Sequence, residues 1–373
     1  MLHLLAGGIL ALPAFVVLVV AALLLLVLAA PSLVFLVFRK SRFSVKDDDN
    51  DNGNGDGSSD GGRVVVRKQH AIITGGSSGI GLAIAQECVR RKFSRVTILA
   101  RNTDKLDDAQ QLLLQQQNPS GTTKIQAISV DVSNPSALEV VAQQIMGKKM
   151  KDEEKEKEEE TTYLFANAGI TYPECFEAIP SSVFSQQAHV NYLGTIFTVR
   201  AFYPFLHHGT IILTSSAAGQ IGVFGFTSYS SSKYALRGFA ESLHMELLSS
   251  KPHVNVQVVY PPDTNTPGYA QEQEMKPKAC EAISGIITIV EPEVIACRMV
   301  TEAQKSNPKF SVYFGLEGWM LSTLTAGMSP ESSFLDALCQ VSLMSLLRLI
   351  SFFYLNDMWS TIQKCNTEQQ QQQ

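Results

Sequence analysis

Apolar residues follow three different patterns along this chain. Leu4–Phe38 contains no charged residue, and a helix of that length, at about 1.5 Å per residue, exceeds the roughly 30 Å of a bilayer core. Between about residues 70 and 260, short runs of Val, Ile and Leu alternate with stretches of helical periodicity. Leu335–Leu355 is again strongly apolar, although Asp336 and Arg348 interrupt it. The pattern therefore predicts a globular region that is flanked on each side by an apolar segment of the kind found in membrane proteins.

The first apolar segment has the features of a retained membrane anchor. The stretch from Pro13 to Pro31 alone nearly spans a bilayer. A cleaved signal peptide ending at Ala29-Ala30 is the competing interpretation, but the basic amino-terminal region is missing and the apolar run is too long. The run is followed by the basic residues Arg39, Lys40, Arg42 and Lys46. A basic segment that flanks a membrane-spanning helix usually stays in the cytosol. We expect an anchor over residues 1–39 and a cytosolic location for the rest.

Three segments have a composition that does not favour a packed core. Asp47–Gly62 contains only Asp, Asn, Gly and Ser, so residues 40–63 are expected to be a flexible acidic linker. An acidic calcium loop is the sharper alternative, but the EF-hand spacing and its closing Glu are absent. Lys148–Glu160 interleaves Lys and Glu and is expected to extend a helix into solvent. No function is predicted for the low-complexity run of glutamines at residues 369–373.

The region after the linker predicts a doubly wound α/β fold with a parallel sheet over residues 64–310. Continuous apolar strands are typical of a sheet that helices cover on both faces, and its ligands bind at the carboxyl ends of the strands. The predicted strands are Ala71–Thr74, Val96–Ala100, Ile125–Val130, Tyr163–Ala166, Thr210–Thr214 and Val254–Val259. The predicted helices are Gly79–Arg91, Asp104–Gln117, Pro135–Met146, Ser181–Leu206 and Ser228–Leu248.

Composition and charge exclude several classes of protein. Apolar residues make up 45% of the chain and charged residues 17%, which argues against overall disorder. With 30 basic and 35 acidic residues, the net charge of −5 excludes nucleic-acid binding driven by bulk positive charge. The six cysteines form no CxxC pair and have no histidine at metal spacing. We therefore expect reduced thiols, no metal site and no nucleic-acid partner.

A glycine-rich turn stands between the first predicted strand and the first predicted helix. It comprises Thr74-Gly75-Gly76-Ser77-Ser78-Gly79-Ile80-Gly81. Glycines let the backbone pass close to a pyrophosphate, and the following helix presents free N–H groups and the positive end of its dipole. A glycine-rich turn alone is a weak signal, but its place at the start of a βαβ series strengthens it.

Motifs downstream of this turn resemble those of the short-chain dehydrogenase/reductase family. These motifs are Asn167-Ala168-Gly169, Asn191, Ser216 and Tyr229-X-X-X-Lys233. Together with the pattern Thr74-Gly-X-X-X-Gly79-X-Gly81 of the turn, they occur in the order that is typical of the family. The resemblance covers roughly residues 68–305 and implies a Rossmann-type fold. Within the family it is strongest to reductases of long-chain 3-ketosphingoid bases, on the stretches 100–102, 219–229, 260–268 and 324–328.

The resemblance implies a catalytic role for four residues. Tyr229 would donate a proton, and Lys233, four positions later on the same helix face, would stabilise the phenolate. Ser216 would hydrogen-bond the substrate carbonyl oxygen, although its neighbour Ser215 is an alternative. Asn191 would hold a water that links Lys233 to solvent. Each residue also has a purely structural interpretation, and only the combination favours catalysis.

The end of the second predicted strand favours NADPH/NADP+ as cofactor. Arg101 stands where an acidic residue would bind the ribose of NAD, and Lys105 adds positive charge for a 2′-phosphate. Asp131 would contact the adenine, with a helix-capping role before Pro135 as its alternative. The other residues implied in cofactor binding are Gly75, Ser77, Ser78, Gly79, Ile80, Gly81, Val132, Asn167, Ala168, Gly169 and Pro261, together with Tyr229 and Lys233.

These expectations combine into one hypothesis with two alternatives. The chain is expected to be an NADPH-dependent reductase of a long-chain 3-ketosphingoid base in the endoplasmic reticulum membrane, with its catalytic domain facing the cytosol. A steroid or retinoid dehydrogenase and a catalytically silent lipid-binding scaffold are the alternatives. In the expected carboxyl-terminal extension, residues 311–373, Leu335–Leu355 would form a membrane-surface helix or hairpin, a second span or a core helix. A homodimer is compatible with the sequence.

Overall fold

The computed structural model of the chain describes residues 59–60, 63–64, 67–117, 122–152, 160–284, 289–331 and 333–372. The predicted anchor at residues 1–39 and most of the predicted linker lie outside this set. The chain divides into two compact units: Ser333–Leu355 belongs to one, and the other comprises Gly55–Ser332 and Asn356–Gln373. The predicted parallel sheet lies in the second unit.

The sheet contains seven parallel strands in the order β3-β2-β1-β4-β5-β6-β7. The strands are β1 (Lys68–Thr74), β2 (Arg95–Ala100), β3 (Lys124–Ser129), β4 (Glu160–Ala166), β5 (Gly209–Thr214), β6 (Val254–Tyr260) and β7 (Ser311–Tyr313). Ile72 on β1 pairs with Thr97 on β2 and with Leu164 on β4. The strand order reverses direction at β1, so a crevice opens at the carboxyl ends of β1 and β4.

Helices follow most of the strands. They are α1 (Gly79–Arg90), α2 (Thr103–Gln116), α3 (Pro135–Asp152), α4 (Ser181–Gln187), α5 (Gly194–Phe202), α6 (Thr227–Ser250), α7 (Pro267–Met275), α8 (Lys278–Ser284), α9 (Pro292–Ala303), α10 (Gly315–Leu324) and α11 (Phe334–Gln372). Side chains explain where two of them begin. The Asn102 side chain accepts from the backbone N–H of Lys105 at 2.8 Å before α2, and the Thr266 hydroxyl accepts from that of Tyr269 at 3.1 Å before α7.

The core has two layers, one on each face of the sheet. Neighbouring residues of a strand point to opposite faces, so Leu164 packs with residues of α3, α5 and α6, whereas Phe165 packs with residues of α1, α2 and α9. Ile211 and Ile212 on β5 divide in the same way. Burial on both faces is the reason that the strands are continuous apolar runs rather than alternating ones.

The structure confirms the predicted parallel α/β fold and differs from the prediction in four places. Ser311–Tyr313 adds a seventh strand beyond the expected domain end at residue 310, because three residues are too short for a recognisable pattern. The predicted helix Ser181–Leu206 is interrupted by wider π-type turns at Ala188–Leu193. Ser59–Asp60 and Arg63–Val64 form a short antiparallel pair at the end of the predicted linker. The helices between residues 267 and 324 were not predicted.

The structure tests in part the predictions for the charged segment Lys148–Glu160 and the apolar segment Leu335–Leu355. The helix extension predicted at Lys148–Glu160 is present as far as Asp152, and Glu160 is the first residue of β4. A hairpin at Leu335–Leu355 is wrong, because these residues belong to the continuous helix α11. Within the described residues this is the one helix with the length and composition to cross a membrane, and only 11% of its most apolar window is buried.

The two-layer core predicts a large difference between two phenylalanines. Phe165 on β4 is fully buried, whereas 72% of the Phe176 surface is exposed. Replacing Phe165 by Ala leaves a cavity and is expected to lower the free energy of unfolding by about 3–5 kcal/mol. Phe176→Ala should lower it by no more than about 1 kcal/mol. Urea unfolding of the detergent-solubilised chain, followed by circular dichroism, measures both, and equal midpoints would contradict this packing.

Candidate active site

The turn between β1 and α1 brings backbone unusually close to backbone. Gly75 and Gly79 have φ angles of +69° and +53°, a region that favours glycine. A Cβ atom on Gly81 would lie 2.2 Å from the carbonyl oxygen of Gly75, so a side chain there would push α1 away from the turn. Within the part of the chain that the structure describes, the Ser78 side chain makes no capping hydrogen bond to α1. The first N–H groups of α1 therefore remain available to an anion.

The other predicted residues of the turn lie at its surface. Ser77 and Ile80 are partly exposed and Ser78 is exposed. The carboxyl ends of β1 and β4 are joined beneath the turn by Thr74. Its hydroxyl accepts hydrogen bonds from the backbone N–H groups of Asn167 at 2.9 Å and Ala168 at 3.1 Å. These bonds hold the segment after β4 beside the glycine turn, at the switch point of the sheet.

Arg101 and Asp131 lie together at the ends of β2 and β3. The Arg101 guanidinium is 3.9 Å from the Asp131 carboxylate, and both side chains are largely exposed. Burial opposes the charge of Asp131, but hydrogen bonds from Ser133 and the charge of Arg101 together lower the pKa of its carboxyl group. Asn134, rather than Asp131, caps α3, because its side chain accepts from the backbone N–H of Ala137 at 3.1 Å. The alternative role considered for Asp131 is therefore wrong.

The remaining two residues predicted near the adenosine differ in their exposure. The Lys105 side chain is exposed in the first turn of α2. Val132, by contrast, is buried in the core, and a Cβ atom on Gly194 would lie 2.8 Å from its side chain. The side chain of Val132 is thus committed to packing, which leaves its backbone groups for any contact with a ligand.

Tyr229, Ser216 and Lys233 come together where β5 and α6 meet. Tyr229 lies in the first turn of α6, and the Lys233 Nζ atom is 5.7 Å from the centroid of its ring. Ser216 lies close enough to Tyr229 for its hydroxyl group to lower the pKa of the tyrosine. The structure therefore brings together three of the four residues predicted to be catalytic.

Burial shifts the pKa of both titratable groups in this trio. Lys233 is 4% exposed and its ammonium group donates to the carbonyl oxygen of Thr214 at 2.9 Å. Burial lowers the pKa of Lys233 to about 8. Burial is also the largest cause that raises the pKa of Tyr229, followed by the negative charge of Glu272; the hydrogen bond with Ser216 acts in the opposite direction.

The two adjacent serines have different environments. Ser215 is buried, and its hydroxyl donates to the backbone carbonyl oxygen of Lys233 at 2.9 Å, which ties β5 to α6. Ser216 is partly exposed and lies beside Tyr229, and its hydroxyl accepts from the backbone N–H of Ala218 at 3.2 Å. The geometry therefore favours Ser216 over Ser215 as the residue that faces a substrate.

Asn191 is fully buried in the π-type segment before α5. Its side chain donates to the carbonyl oxygen of Ile170 at 2.9 Å and to the Ser232 hydroxyl at 3.0 Å, and it accepts from the backbone N–H of Ile170 at 2.8 Å. A Cβ atom on Gly169 would lie 3.3 Å from both the Asn191 side-chain oxygen and the Lys233 Nζ atom. Asn191 thus lies next to Lys233 and fastens the segment after β4 to α6, and its role in a water relay stays a prediction.

A cluster of charged residues next to this trio was missed. Lys276, just after α7, has its Nζ atom 2.9 Å from the Glu272 carboxylate and 3.9 Å from that of Asp263, which follows β6. In the sequence, Glu272 and Lys276 are four residues apart and look like an exposed helical ion pair. The available signal was the position of Asp263, two residues after Pro261, which was predicted to bind the cofactor. In the structure Pro261 is buried, and its carbonyl oxygen accepts from the backbone N–H of Ala217 at 3.0 Å.

Comparison with known proteins agrees with this geometry. The family described as short chain dehydrogenase matches residues 69–277. A protein named 3-ketodihydrosphingosine reductase from Bos taurus is 40% identical over 301 residues, which cover 79% of this chain and 86% of that one. A 3-dehydrosphinganine reductase from Danio rerio is 38% identical over 307 residues, covering 81% of this chain and 88% of its own length.

A solved structure supports the fold independently. The alcohol dehydrogenase of the archaeon Thermococcus sibiricus, complexed with 5-hydroxy-NADP, superposes with a TM-score of 0.54 at 22% identity. The match covers 66% of this chain and 96% of the archaeal chain, and it bears on the fold alone. Together with the family match and the relatives from Bos taurus and Danio rerio, the arrangement shows that this chain is an oxidoreductase that belongs to the short-chain dehydrogenase family.

Proposed function

We propose that this chain reduces the ketone of a long-chain 3-ketosphingoid base to the alcohol, with NADPH as reductant. The observation that carries the chemistry is the placement of Tyr229 beside Ser216, whose hydroxyl group lowers the pKa of the tyrosine, with the Lys233 Nζ atom 5.7 Å from the centroid of the tyrosine ring. The substrate class is supported by the relatives named 3-ketodihydrosphingosine reductase and 3-dehydrosphinganine reductase.

The residues present fit a nicotinamide dinucleotide. The absence of a side chain at Gly81 lets α1 pack directly against the glycine turn, and the start of α1 offers free N–H groups to a pyrophosphate there. Arg101 and Lys105 are exposed cations where a ribose 2′-phosphate would lie, which favours NADPH over NADH. When bound, the cofactor supplies the hydride that reaches the carbonyl carbon.

The protein residues supply the proton and orient the ketone. In the proposed reaction the Ser216 hydroxyl hydrogen-bonds the carbonyl oxygen, and the Tyr229 hydroxyl gives that oxygen its proton, so that the ketone becomes a secondary alcohol. The Lys233 ammonium group stabilises the phenolate that Tyr229 leaves behind. With a pKa of about 8, Lys233 is mostly charged at neutral pH and can also return a proton to the site.

The membrane forms part of the proposed function, because a long-chain ketone is insoluble in water. Many apolar side chains of α11 are strongly exposed, although Leu343, Leu347 and Met358 are buried; the exposed ones include Phe334, Leu335, Val341, Phe352 and Phe353. A surface of this kind indicates contact with lipid. We propose that the chain resides in the endoplasmic reticulum membrane, anchored by residues 1–39, with the catalytic domain in the cytosol.

The first prediction tests the reaction itself. The detergent-solubilised wild type is expected to oxidise NADPH when 3-ketodihydrosphingosine is added. Tyr229→Phe removes the proton donor and should lower kcat at least about 100-fold, with NADPH binding unchanged. Tyr234→Phe, a half-exposed tyrosine on the same helix, is the matched control and should keep wild-type turnover. Turnover by Tyr229→Phe at the wild-type rate would refute the catalytic role, and reduction of steroids or retinoids alone would refute the substrate class.

The second prediction concerns the choice of cofactor. Arg101→Asp removes a guanidinium group that can bind a phosphate through two hydrogen bonds and replaces it with a repelling charge. The ratio of kcat/KM for NADPH to that for NADH should fall by about 10- to 100-fold. Arg200→Asp, at another exposed arginine, should leave this ratio unchanged. An unaltered ratio in Arg101→Asp would show that Arg101 does not contact the phosphate.

The third prediction concerns topology. The basic residues that follow the first apolar segment support a cytosolic location of the domain. Protease added to sealed microsomes that contain the full-length chain should digest the catalytic domain without detergent. A lumenal protein serves as the control for sealed vesicles. Protection of the domain until detergent is added would contradict the cytosolic orientation.

A further inference from the structure

The charged cluster of Asp263, Glu272 and Lys276 has no part in the reaction described above. The Lys276 side chain is only 1% exposed and lies between the two carboxylates. Its ammonium group is also 5.2 Å from the ring centroid of Tyr269 and 5.8 Å from that of Phe226. The lysine is thus fixed inside the protein, while 27% of the Asp263 side-chain surface remains exposed.

The cluster lies between the glycine turn and Tyr229. The Phe226 ring that contacts Lys276 is 5.7 Å from the ring of Tyr229, centroid to centroid. On the other side, a Cβ atom on Gly79 would lie 3.1 Å from the side chain of Thr266, which caps the start of α7. A group bound at the accessible edge of the cluster would therefore be close to a ketone held by Tyr229.

The charges of the cluster do not balance. Two carboxylates share one ammonium group, and among the described residues Lys276 is the one cation that forms an ion pair with either of them. Burial is the largest cause that raises the pKa of both Asp263 and Glu272, and the negative charge of Asp263 raises the pKa of Glu272 as well. The charge of Lys276 offsets these effects only in part. One carboxylate would be enough to pair with Lys276 and stabilise α7. The second carboxylate can therefore bind another cation.

The proposed substrate carries such a cation in the required position. A 3-ketosphingoid base has an ammonium group on the carbon next to the ketone, so both groups enter the site together. The carboxylate of Glu272 is occupied by Lys276 at 2.9 Å, whereas that of Asp263 is 3.9 Å away and more accessible. Asp263 is therefore the better placed of the two for direct contact, with Glu272 and Lys276 holding the arrangement.

We propose that Asp263, supported by Glu272 and Lys276, binds the ammonium group of the substrate and makes the enzyme selective for amino ketones over simple ketones. This inference rests on the proposed function. It also has a consequence for the chemistry: the two carboxylates raise the pKa of Tyr229, and a bound ammonium group offsets their charge. The substrate itself would thereby ease the release of the proton from the tyrosine.

The test compares two substrates in mixed detergent micelles: 3-ketodihydrosphingosine and the same long-chain hydroxyketone without the amino group. The wild type should prefer the amino ketone in kcat/KM by about 10- to 100-fold, the range expected for a hydrogen bond to a charged group. Asp263→Asn and Glu272→Gln should lose most of this preference, while their kcat/KM for the simple ketone should not fall, because the loss of a carboxylate also lowers the pKa of Tyr229. Asp263→Glu, which keeps the charge, should retain part of the preference.

Matched controls separate charge recognition from folding. Glu274→Gln changes an exposed carboxylate on the same helix and should keep the wild-type preference. NADPH binding by each variant reports whether the domain is folded. An equal loss for both ketones in Asp263→Asn and Glu272→Gln would overturn the inference, as would a wild type that reduces both ketones equally well, and in either case the proposed function stands. A wild type that reduces neither ketone would refute the proposed function together with this inference.

Discussion

The arrangement of the active site depends on the burial of the Lys233 ammonium group. Transfer of a charged amine out of water is costly, and here the compensation comes from a backbone carbonyl group, that of Thr214, at 2.9 Å. That single bond requires the end of β5 to lie against the second turn of α6. The Ser215 hydroxyl reinforces this by donating to the carbonyl oxygen of Lys233, and the result places Tyr229 beside Ser216.

The sheet provides the frame in which this contact is possible. Because the strand order reverses at β1, the segments after β1 and β4 diverge from the sheet on opposite sides of a crevice. Thr74 holds these two segments together, and Asn191 fastens the second of them to α6. The glycine turn and the trio of Ser216, Tyr229 and Lys233 therefore lie in one hydrogen-bonded unit, although Gly79 and Ser216 are 137 positions apart in the sequence.

In the proposed function, specificity and catalysis belong to different parts of the molecule. The residues proposed to be catalytic lie just after β5, on α6 and in the π-type segment. The charged cluster lies on the segment from the end of β6 to the end of α7, where Thr266 approaches Gly79 of the glycine turn. A change in this segment can alter which ketone enters without disturbing Tyr229, Ser216 or Lys233, and this separation is typical of scaffolds in which loops select the ligand.

The sequence alone determined the parallel α/β fold, six of the seven strands and the places of Tyr229 and Lys233. These follow from local rules, because apolar runs report burial on both faces of a sheet and a spacing of four residues places two side chains on one helix face. Contacts between distant segments were decided only by the tertiary structure. The Ser215 hydroxyl bonds to α6, whereas Ser216 lies beside Tyr229. Asn134 caps α3. Lys276 is buried between Asp263 and Glu272. The sequence analysis drew no inference from these three charged residues, because their burial depends on what the rest of the chain packs against them.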